Sequence, residues 1–299
     1  EDTTGVLRFR YSDDDGLSWS EETRDLRIGD AAIDHPDSMI PKIWIVYQSP
    51  TILGDEVVVG FTRWGSRAHY PTQDLFQQDS EIGFLRFDNI LTEGDPSKLT
   101  VTTLPSSAHG IRVPRAGMEH VSVAQEPTVV QLKDGRWLCV IRTLNGWIAA
   151  STSKDRGTSW SDTYPLRNGP DGEMVLNPIC PCPLYDLGDG RFMLLYYNND
   201  GTANGGQHPA DYTRNRYPAW VAIGRETGDE KQPLRFGKPR ELCSSDGVVL
   251  GPSGRTEVAT YSSLLQDGAS RVLFYPDRKH FLLGKKITDE WLLECDPGK

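Results

Sequence analysis

Short apolar runs alternate with polar residues along most of the chain, and tight-turn sequences separate the runs. The clearest stretch covers residues 126–160. There, a β-branched run at residues 128–132 is followed by an Asp-Gly pair, a second apolar run, an Asn-Gly pair at residues 145–146 and a third run. Such pairs between apolar runs are typical of two-residue β-hairpin turns. The pattern therefore predicts two consecutive hairpins in one small antiparallel sheet.

The Asp-Gly hairpin recurs along the chain. It lies between apolar runs at residues 134–135, 189–190 and 267–268. Recurrence at intervals that one small sheet can occupy is typical of radial repetition, in which similar sheets stand around a common axis. Helical periodicity is nearly absent, which argues against helices between the sheets.

We therefore predict an all-β fold, a β-propeller with four-stranded antiparallel blades that forms a single domain over residues 1–299. Counting strands gives half a set at the start and four further sets, at residues 6–26, 43–104, 126–160, 178–240 and 258–285. A β-sandwich is the alternative fold, but it gives no reason for the repeated hairpin.

Composition narrows the classes of partner. The 299 residues are 37% hydrophobic, enough for a large core. A net charge of −10 argues against a nucleic-acid partner, which needs a basic surface. No apolar run approaches the length of a membrane span. The five cysteines are odd in number and lack metal-type spacing, so we expect buried free thiols and no metal site.

The beginning of the chain bears on localisation. No signal peptide is present, and the chain opens at Glu1 almost directly on a predicted strand. Removal of an export signal would leave such a beginning. The sequence does not fix a compartment, but this feature favours a secreted or periplasmic protein.

Two octets share the pattern Ser-x-Asp-x-Gly-x-Ser-Trp, at residues 12–19 and 153–160. An Asp in a tight turn accepts hydrogen bonds from nearby backbone N–H groups, and the Gly supplies a positive φ. Used twice in a strand-rich chain, the octet resembles the Asp-box of the sialidase-like β-propellers, or BNR repeats. We expect Asp14 and Asp155 to be structural and not catalytic.

The resemblance covers most of the chain and implies six blades in the intact protein. The strand count gives about four and a half. We therefore expect that residues preceding Glu1 are missing from this chain.

The resemblance also implies a set of site residues. In sialidases a Glu, an Arg about as far after it as Arg142 is after Glu126, and a Tyr in a late Tyr-Ser-x-Leu strand are functional, and Tyr261 begins such a segment here. By this resemblance Tyr261 is the nucleophile, Glu126 is its base and Arg142 is one arm of a carboxylate clamp. Arg216 is our choice for a second arm.

Chemistry explains these residue types. A sialic acid carries a carboxylate on its anomeric carbon, which would repel a carboxylate nucleophile, so a neutral Tyr attacks and a Glu takes its proton. Arginines bind the substrate carboxylate through forked, charge-assisted hydrogen bonds. The expected substrate is an acidic glycan, either a sialoside or a uronate-containing polysaccharide, and neither reaction requires a cofactor.

The chain departs from the sialidase pattern in two places. Sialidases begin with an Arg-Ile-Pro motif that carries the first clamp arginine, followed by an Asp acid, and the sequence has neither. Residues 111–114, Ile-Arg-Val-Pro, are similar but stand immediately before the set that contains Glu126. A missing N-terminal blade would account for both absences.

Two other functions fit parts of the sequence. Residues 194–201 and 275–284 look like BNR-repeat polysaccharide lyases that act on uronic acids, which need a His or Tyr to remove the C5 proton. The lyase candidates are His120, His69 and Tyr70.

A non-catalytic, glycan-binding propeller is the third possibility, with Trp64, Trp147 and Trp220 as stacking platforms. Convergence of Glu126, Arg142 and Tyr261 on one pocket would favour an enzyme, and we rank sialidase-type hydrolysis first.

Overall fold

The computed structural model describes residues 5–69 and 77–298. In this part of the chain, small antiparallel sheets stand side by side as four blades of a β-propeller, which confirms the predicted all-β fold. A two-stranded sheet precedes the first blade, as the predicted half set requires. It consists of β1 (Leu7–Phe9) and β2 (Arg24–Leu26).

Strands β3 to β13 form the first two blades and a small sheet between them. The first blade is formed by β3 (Ile43–Ile45), β4 (Thr51–Leu53), β5 (Glu56–Trp64), β6 (Ser80–Phe87) and β7 (Val101–Leu104). A small sheet follows, made of β8 (Pro114–Arg115) and β9 (Met118–Ser122). The second blade is formed by β10 (Gln125–Gln131), β11 (Trp137–Arg142), β12 (Ala149–Ser153) and β13 (Tyr164–Pro165).

The last two blades contain strands β14 to β21. The third blade is formed by β14 (Leu184–Asp186), β15 (Arg191–Tyr196), β16 (Ala219–Glu226), β17 (Leu234–Phe236) and β18 (Arg240–Cys243). The fourth is formed by β19 (Ser263–Asp267), β20 (Ser270–Asp277) and β21 (Phe281–Lys286). A short helix, α1 (Asp289–Leu293), follows with Thr288 as its N-cap. No helix among the residues described is long and apolar enough to cross a membrane.

The blades differ in strand number, and only the second has the four strands predicted for each. In the first blade, β3 and β4 pair with opposite halves of the long strand β5. In the third, β17 and β18 divide the edge of β16 in the same way. The fourth blade has three strands. A long central strand therefore pairs with two short strands along one edge. The pattern of apolar residues in the sequence does not predict this division of the edge.

Each interface between neighbouring blades holds its own apolar cluster. On β11, Trp137 and Ile141 face the first blade, whereas Leu138 and Val140 face the third. Successive strand residues point to opposite faces of a sheet. Because both faces are covered, β11 is buried along its whole length, and polar side chains are displaced to the ends of the central strands.

The fourth blade is less covered than the others. Strand β21 is exposed at five of its six residues. Large apolar side chains of this blade reach solvent, including Leu265, Phe274 and Leu282.

The two octets fold into the same turn. In the second, Asp155 accepts hydrogen bonds from Ser153 Oγ at 2.8 Å, Ser159 N at 2.9 Å and Ser159 Oγ at 2.6 Å. In the first, Asp14 accepts the equivalent bonds from Ser12 and Ser18. The serine hydrogen bonds lower the pKa of both carboxyl groups, that of Asp14 to about 2. Both carboxylates are thus occupied within their own turns.

The surroundings of the two octets differ. Trp160 stacks on Phe84 at 5.3 Å and packs against the core between the first and second blades. Trp19, at the equivalent position, is 59% exposed. The second octet therefore fixes a tryptophan against the core, and the first lies at the edge of the structure.

We expect Asp155→Ala to lower the thermal unfolding midpoint by about 2–4 °C, and Asp14→Ala to lower it less, because only the second turn holds its tryptophan on the core. Calorimetry on both variants tests this. A lowered carboxyl pKa means that the ionised form stabilises the fold, so the Asp155→Ala difference should be full at neutral pH and shrink as the pH falls through the lowered pKa. Equal shifts for the two variants would contradict the expectation.

Candidate active site

Two side chains from distant parts of the chain meet at one end of the inner strands. Glu126 is the second residue of β10, and Tyr261 lies two residues before β19. The Tyr261 hydroxyl donates a hydrogen bond of 3.2 Å to Glu126 Oε1. The fold therefore joins the second and fourth blades through the two residues for which the sialidase resemblance implies the roles of nucleophile and base.

A bulge aims Glu126 into the protein. The register between β10 and β11 shifts between Gln125 and Thr128, and Glu126 has a left-handed backbone with φ of 47°. Bulges of this kind redirect a side chain out of the regular alternation of a strand. The Glu126 N–H donates to Thr62 Oγ1 at 2.8 Å, which anchors the bulge to the first blade.

Arg142 compensates the buried charge of Glu126. Its Nη1 donates to Glu126 Oε1 at 2.6 Å, and its Nη2 donates to Gln125 Oε1 at 2.6 Å. Glu126 and Arg142 are 2% and 1% exposed. Pairing of Gln125 with Arg142 across β10 and β11 places the guanidinium opposite the carboxylate. The arrangement satisfies the rule that a buried charge needs a partner and hydrogen bonds.

Tyr261 lies outside a regular strand, which corrects the expectation, drawn from the sialidase resemblance, that it lies in a late strand. Ala259 and Tyr261 have left-handed backbones with φ of 55° and 58°, and β19 begins only at Ser263. The break arises because the chain before Tyr261 pairs elsewhere, with Ala259 N donating to Pro276 O at 3.0 Å. The phenol is thereby turned towards Glu126.

The surroundings of Tyr261 keep its hydroxyl protonated. Burial raises the pKa of Tyr261 above its usual value, and the nearby negative charge of Glu126 raises it further. The positive charges of Arg142 and Arg216 act in the opposite direction. A neutral phenol hydrogen-bonded to a carboxylate can pass its proton to that carboxylate when its oxygen attacks.

Tyr47, which sequence reasoning missed, stacks on Tyr261. The ring centroids are 5.3 Å apart and the ring planes differ by 19°. Burial, with the charges of Glu126 and Tyr261, raises the pKa of Tyr47 to about 12. Tyr47 lies between β3 and β4, the first two strands of the first blade. Comparing the inner segments of all blades for polar or aromatic residues at the same end would have found it.

Arg216 lies close to the same centre but forms no hydrogen bond with Glu126 or Tyr261 in the residues that the structure describes. Its Nη2 donates to Ile179 O at 2.7 Å, and its guanidinium lies 5.6 Å from the centre of the Tyr212 ring. The side chain is buried, with 4% of the residue exposed. Arg216 O accepts from Val258 N at 3.1 Å, which ties the loop that carries it to the chain before Tyr261.

Lys279 is a second residue that sequence reasoning missed. Its Nζ lies 5.3 Å from the centre of the Tyr261 ring and 3.7 Å from Glu257 Oε1. Burial lowers the pKa of Lys279, and the positive charge of Arg216 lowers it further. Lys279 lies within residues 275–284, a passage that the sequence singled out, so a signal for it existed.

The histidines proposed for a lyase lie elsewhere. His69 Nε2 is 2.9 Å from Asp34 O, and the backbone carbonyl of His120 accepts from Arg112 Nη2 at 3.5 Å. Both residues are exposed. Within residues 5–69 and 77–298, no hydrogen bond or ion pair joins either histidine to Glu126. Tyr70 lies outside the described residues.

The tryptophans proposed as sugar platforms pack into the protein. Trp64 is buried in the first blade, so it offers no open face. Trp147 packs against the core between the first and second blades, and Trp220 against the core between the second and third.

Arg112, in the segment that resembles a displaced clamp motif, is paired with Asp79 at 2.8 Å and with Glu81 at 3.6 Å.

Solved structures share this fold. The intramolecular trans-sialidase from Ruminococcus gnavus is 18% identical with a TM-score of 0.57, and the match covers 97% of this chain and 51% of that one. The NanB sialidase from Streptococcus pneumoniae is 15% identical with a TM-score of 0.58, covering 96% of this chain and 36% of that one. The β-1,2-mannobiose phosphorylase from Listeria innocua is 14% identical with a TM-score of 0.50, covering 93% and 65%.

The chain thus spans about half, or less, of the two sialidase chains that it resembles. No protein-family model matches it, and no curated protein matches it in sequence. At these identities the likeness shows the propeller fold, and the three neighbours carry different activities in their names.

We expect Arg142→Met to destabilise the protein by about 3–5 kcal/mol, because it leaves the buried Glu126 carboxylate without a counter-charge. Urea unfolding measures the change. The double variant Glu126→Gln with Arg142→Met should recover part of the loss, since no buried charge remains. Arg8→Met, which removes an exposed pair with Asp25, is the control and should change little. A double variant as unstable as the sum of the single variants would show that the two charges are not coupled.

Proposed function

We propose that this propeller is a carbohydrate-active enzyme of the sialidase type, a glycoside hydrolase that releases a terminal acidic sugar. The observation that carries the proposal is the continuous contact from Tyr261 through Glu126 to Arg142, which brings a neutral phenol, a carboxylate and a cation together at the end of the inner strands. Tyr261 comes from the fourth blade, whereas Glu126 and Arg142 come from the second.

In the proposed reaction, the Tyr261 oxygen attacks the anomeric carbon and Glu126 accepts the phenolic proton. The bond from that carbon to the leaving oxygen breaks, and the leaving oxygen takes a proton from an acid that we do not assign to any residue of this chain. Water then attacks the same carbon and gives one proton to the conjugate base of that acid, the bond to Tyr261 breaks, and the proton on Glu126 returns to the phenolate. Two displacements at one carbon retain its configuration.

Tyrosine suits an acidic sugar better than a carboxylate would. A substrate carboxylate on the anomeric carbon repels an anionic nucleophile, whereas the raised pKa of Tyr261 keeps it neutral until Glu126 removes its proton. Arg142 and Arg216 supply positive charge for the substrate carboxylate. Each has a buried Nε that lacks a hydrogen-bond partner among the described residues, so neither guanidinium is saturated by the protein.

Two further observations support this reading. The neighbours in fold include a trans-sialidase and a sialidase, and the two octets resemble the Asp-boxes of that group. Fold alone does not define a reaction, so the proposal depends on the site.

Uronate elimination is the second candidate function. Its position beside Glu126 favours Tyr261, and not a histidine, as the residue that removes the proton. A Tyr261 phenol that has passed its proton to Glu126 could remove the C5 proton of a uronate whose carboxylate the cations neutralise. The C4–O bond would then break to leave a C4–C5 double bond, with the leaving oxygen taking a proton. A non-catalytic glycan-binding propeller would not need the Tyr261–Glu126 hydrogen bond.

We expect the protein to release sialic acid from sialyl-lactose, and Tyr261→Phe and Glu126→Gln each to reduce kcat by about 10²–10⁴-fold. Released sialic acid is measured directly. Tyr185→Phe is a matched control, because it removes a phenol that bonds Ser262 O and not Glu126.

The same preparation is tested on uronate-containing oligosaccharides, by following the ultraviolet absorbance of a new C4–C5 double bond. Absorbance without sialic acid release would replace hydrolysis by elimination. Activity of Tyr261→Phe equal to that of the parent on either substrate would reject Tyr261 as the reacting group.

A further inference from the structure

Lys279 lies in a tight turn that faces the proposed nucleophile. It stands between β20 and β21, where Arg278 and Lys279 both have left-handed backbones with φ of 52° and 50°. The turn is fixed by His280 N donating to Asp277 O at 3.0 Å and by Arg278 N donating to Glu257 O at 2.8 Å. The Lys279 Nζ is thereby held 5.3 Å from the centre of the Tyr261 ring.

Among the three cations around Tyr261, Lys279 is the one that solvent reaches. Its side chain is 36% exposed, whereas Arg142 and Arg216 are almost completely buried. Arg142 already donates to Glu126 and Gln125, and Arg216 to Ile179 O. An anionic group that approaches Tyr261 from solvent therefore meets the Lys279 ammonium before it meets either guanidinium.

The ammonium has capacity for a ligand. A lysine carries three donors, and within the described residues no hydrogen bond occupies them. The closest acidic group, Glu257 Oε1, lies at 3.7 Å, beyond ordinary hydrogen-bond distance. Glu257 Oε1 also forms an ion pair with Arg255 Nη1 at 3.1 Å, so Glu257 does not depend on Lys279 for a counter-charge.

The electrostatic setting points the same way. Partial burial and the nearby Arg216 both disfavour the charged form of Lys279. A carboxylate placed between the two cations would relieve their repulsion, and its charge-assisted hydrogen bonds would be stronger than those of a neutral group.

We propose that Lys279 is a substrate-binding residue that receives the carboxylate of an acidic monosaccharide and so selects for anionic sugars at this site. The inference rests on the proposed function for the position of the sugar beside Tyr261. It adds a third, solvent-accessible cation to Arg142 and Arg216. The ligand class is a sugar carboxylate, which a sialic acid or a uronic acid can supply.

The test is a calorimetric titration of the whole chain with N-acetylneuraminic acid and with glucuronic acid, each beside its methyl ester. For the acid that binds, Lys279→Met should weaken affinity by about tenfold or more and Lys279→Arg should stay within about threefold of the parent. Affinity for the ester should be the same in Lys279→Met and in the parent. Lys286→Met removes an exposed charge from the same hairpin and should have no effect.

Three results would overturn the inference: unchanged acid binding by Lys279→Met, an equal loss for the ester, or no binding of either acid by the parent. Turnover of sialyl-lactose separates this inference from the proposed function. If the parent turns over sialyl-lactose and Lys279→Met does so with the same KM, the proposed function is kept and the binding role of Lys279 is rejected. If Lys279→Met loses binding of the acid but not of the ester, and the parent turns over no substrate, the role of Lys279 in binding is kept and the proposed function is rejected.

Discussion

Burial of both faces of the central strands is the constraint on which the rest of this structure depends. A sheet packed between two neighbours has no face for polar side chains, so strands such as β11 and β15 are apolar between their ends. Charged groups can then stand only at strand ends and in the connecting loops. Glu126, Arg142 and Tyr261 all occupy such ends, which explains how residues separated by 135 positions become neighbours.

The same constraint governs the charges of the site. Each buried ion must be compensated where it stands, because transfer from water into the interior is unfavourable without a partner. Glu126 and Arg142 compensate one another, and Gln125 accepts one further hydrogen bond from the guanidinium. Arg216 relies on a backbone carbonyl and on the Tyr212 ring. Lys279, at the rim, is compensated most loosely.

Local patterns in the sequence predict the blades well and the site in part. Asp-Gly hairpins and alternating apolar residues depend on neighbours in sequence, so they locate the strands. The Glu126–Arg142 pair is also local, since one hairpin sets it across β10 and β11. Tyr47 and Lys279 could not be placed in this way, because their positions depend on how separate blades pack. The expected strand at Tyr261 was wrong: Ala259 pairs with Pro276, and Ala259 and Tyr261 both have left-handed backbones.

The uneven packing of the blades has a consequence for how the site would be lost. Glu126 and Arg142 belong to the well-covered second blade, whereas Tyr261 and Lys279 belong to the fourth, whose strand β21 is largely exposed. Segments with few buried apolar contacts open locally at a lower free energy than the global unfolding transition. Amide hydrogens of the fourth blade should therefore exchange first, and each such opening would separate Tyr261 from Glu126 while the second blade stays folded. The lifetime of the assembled site is then set by this least protected blade and not by the stability of the whole propeller.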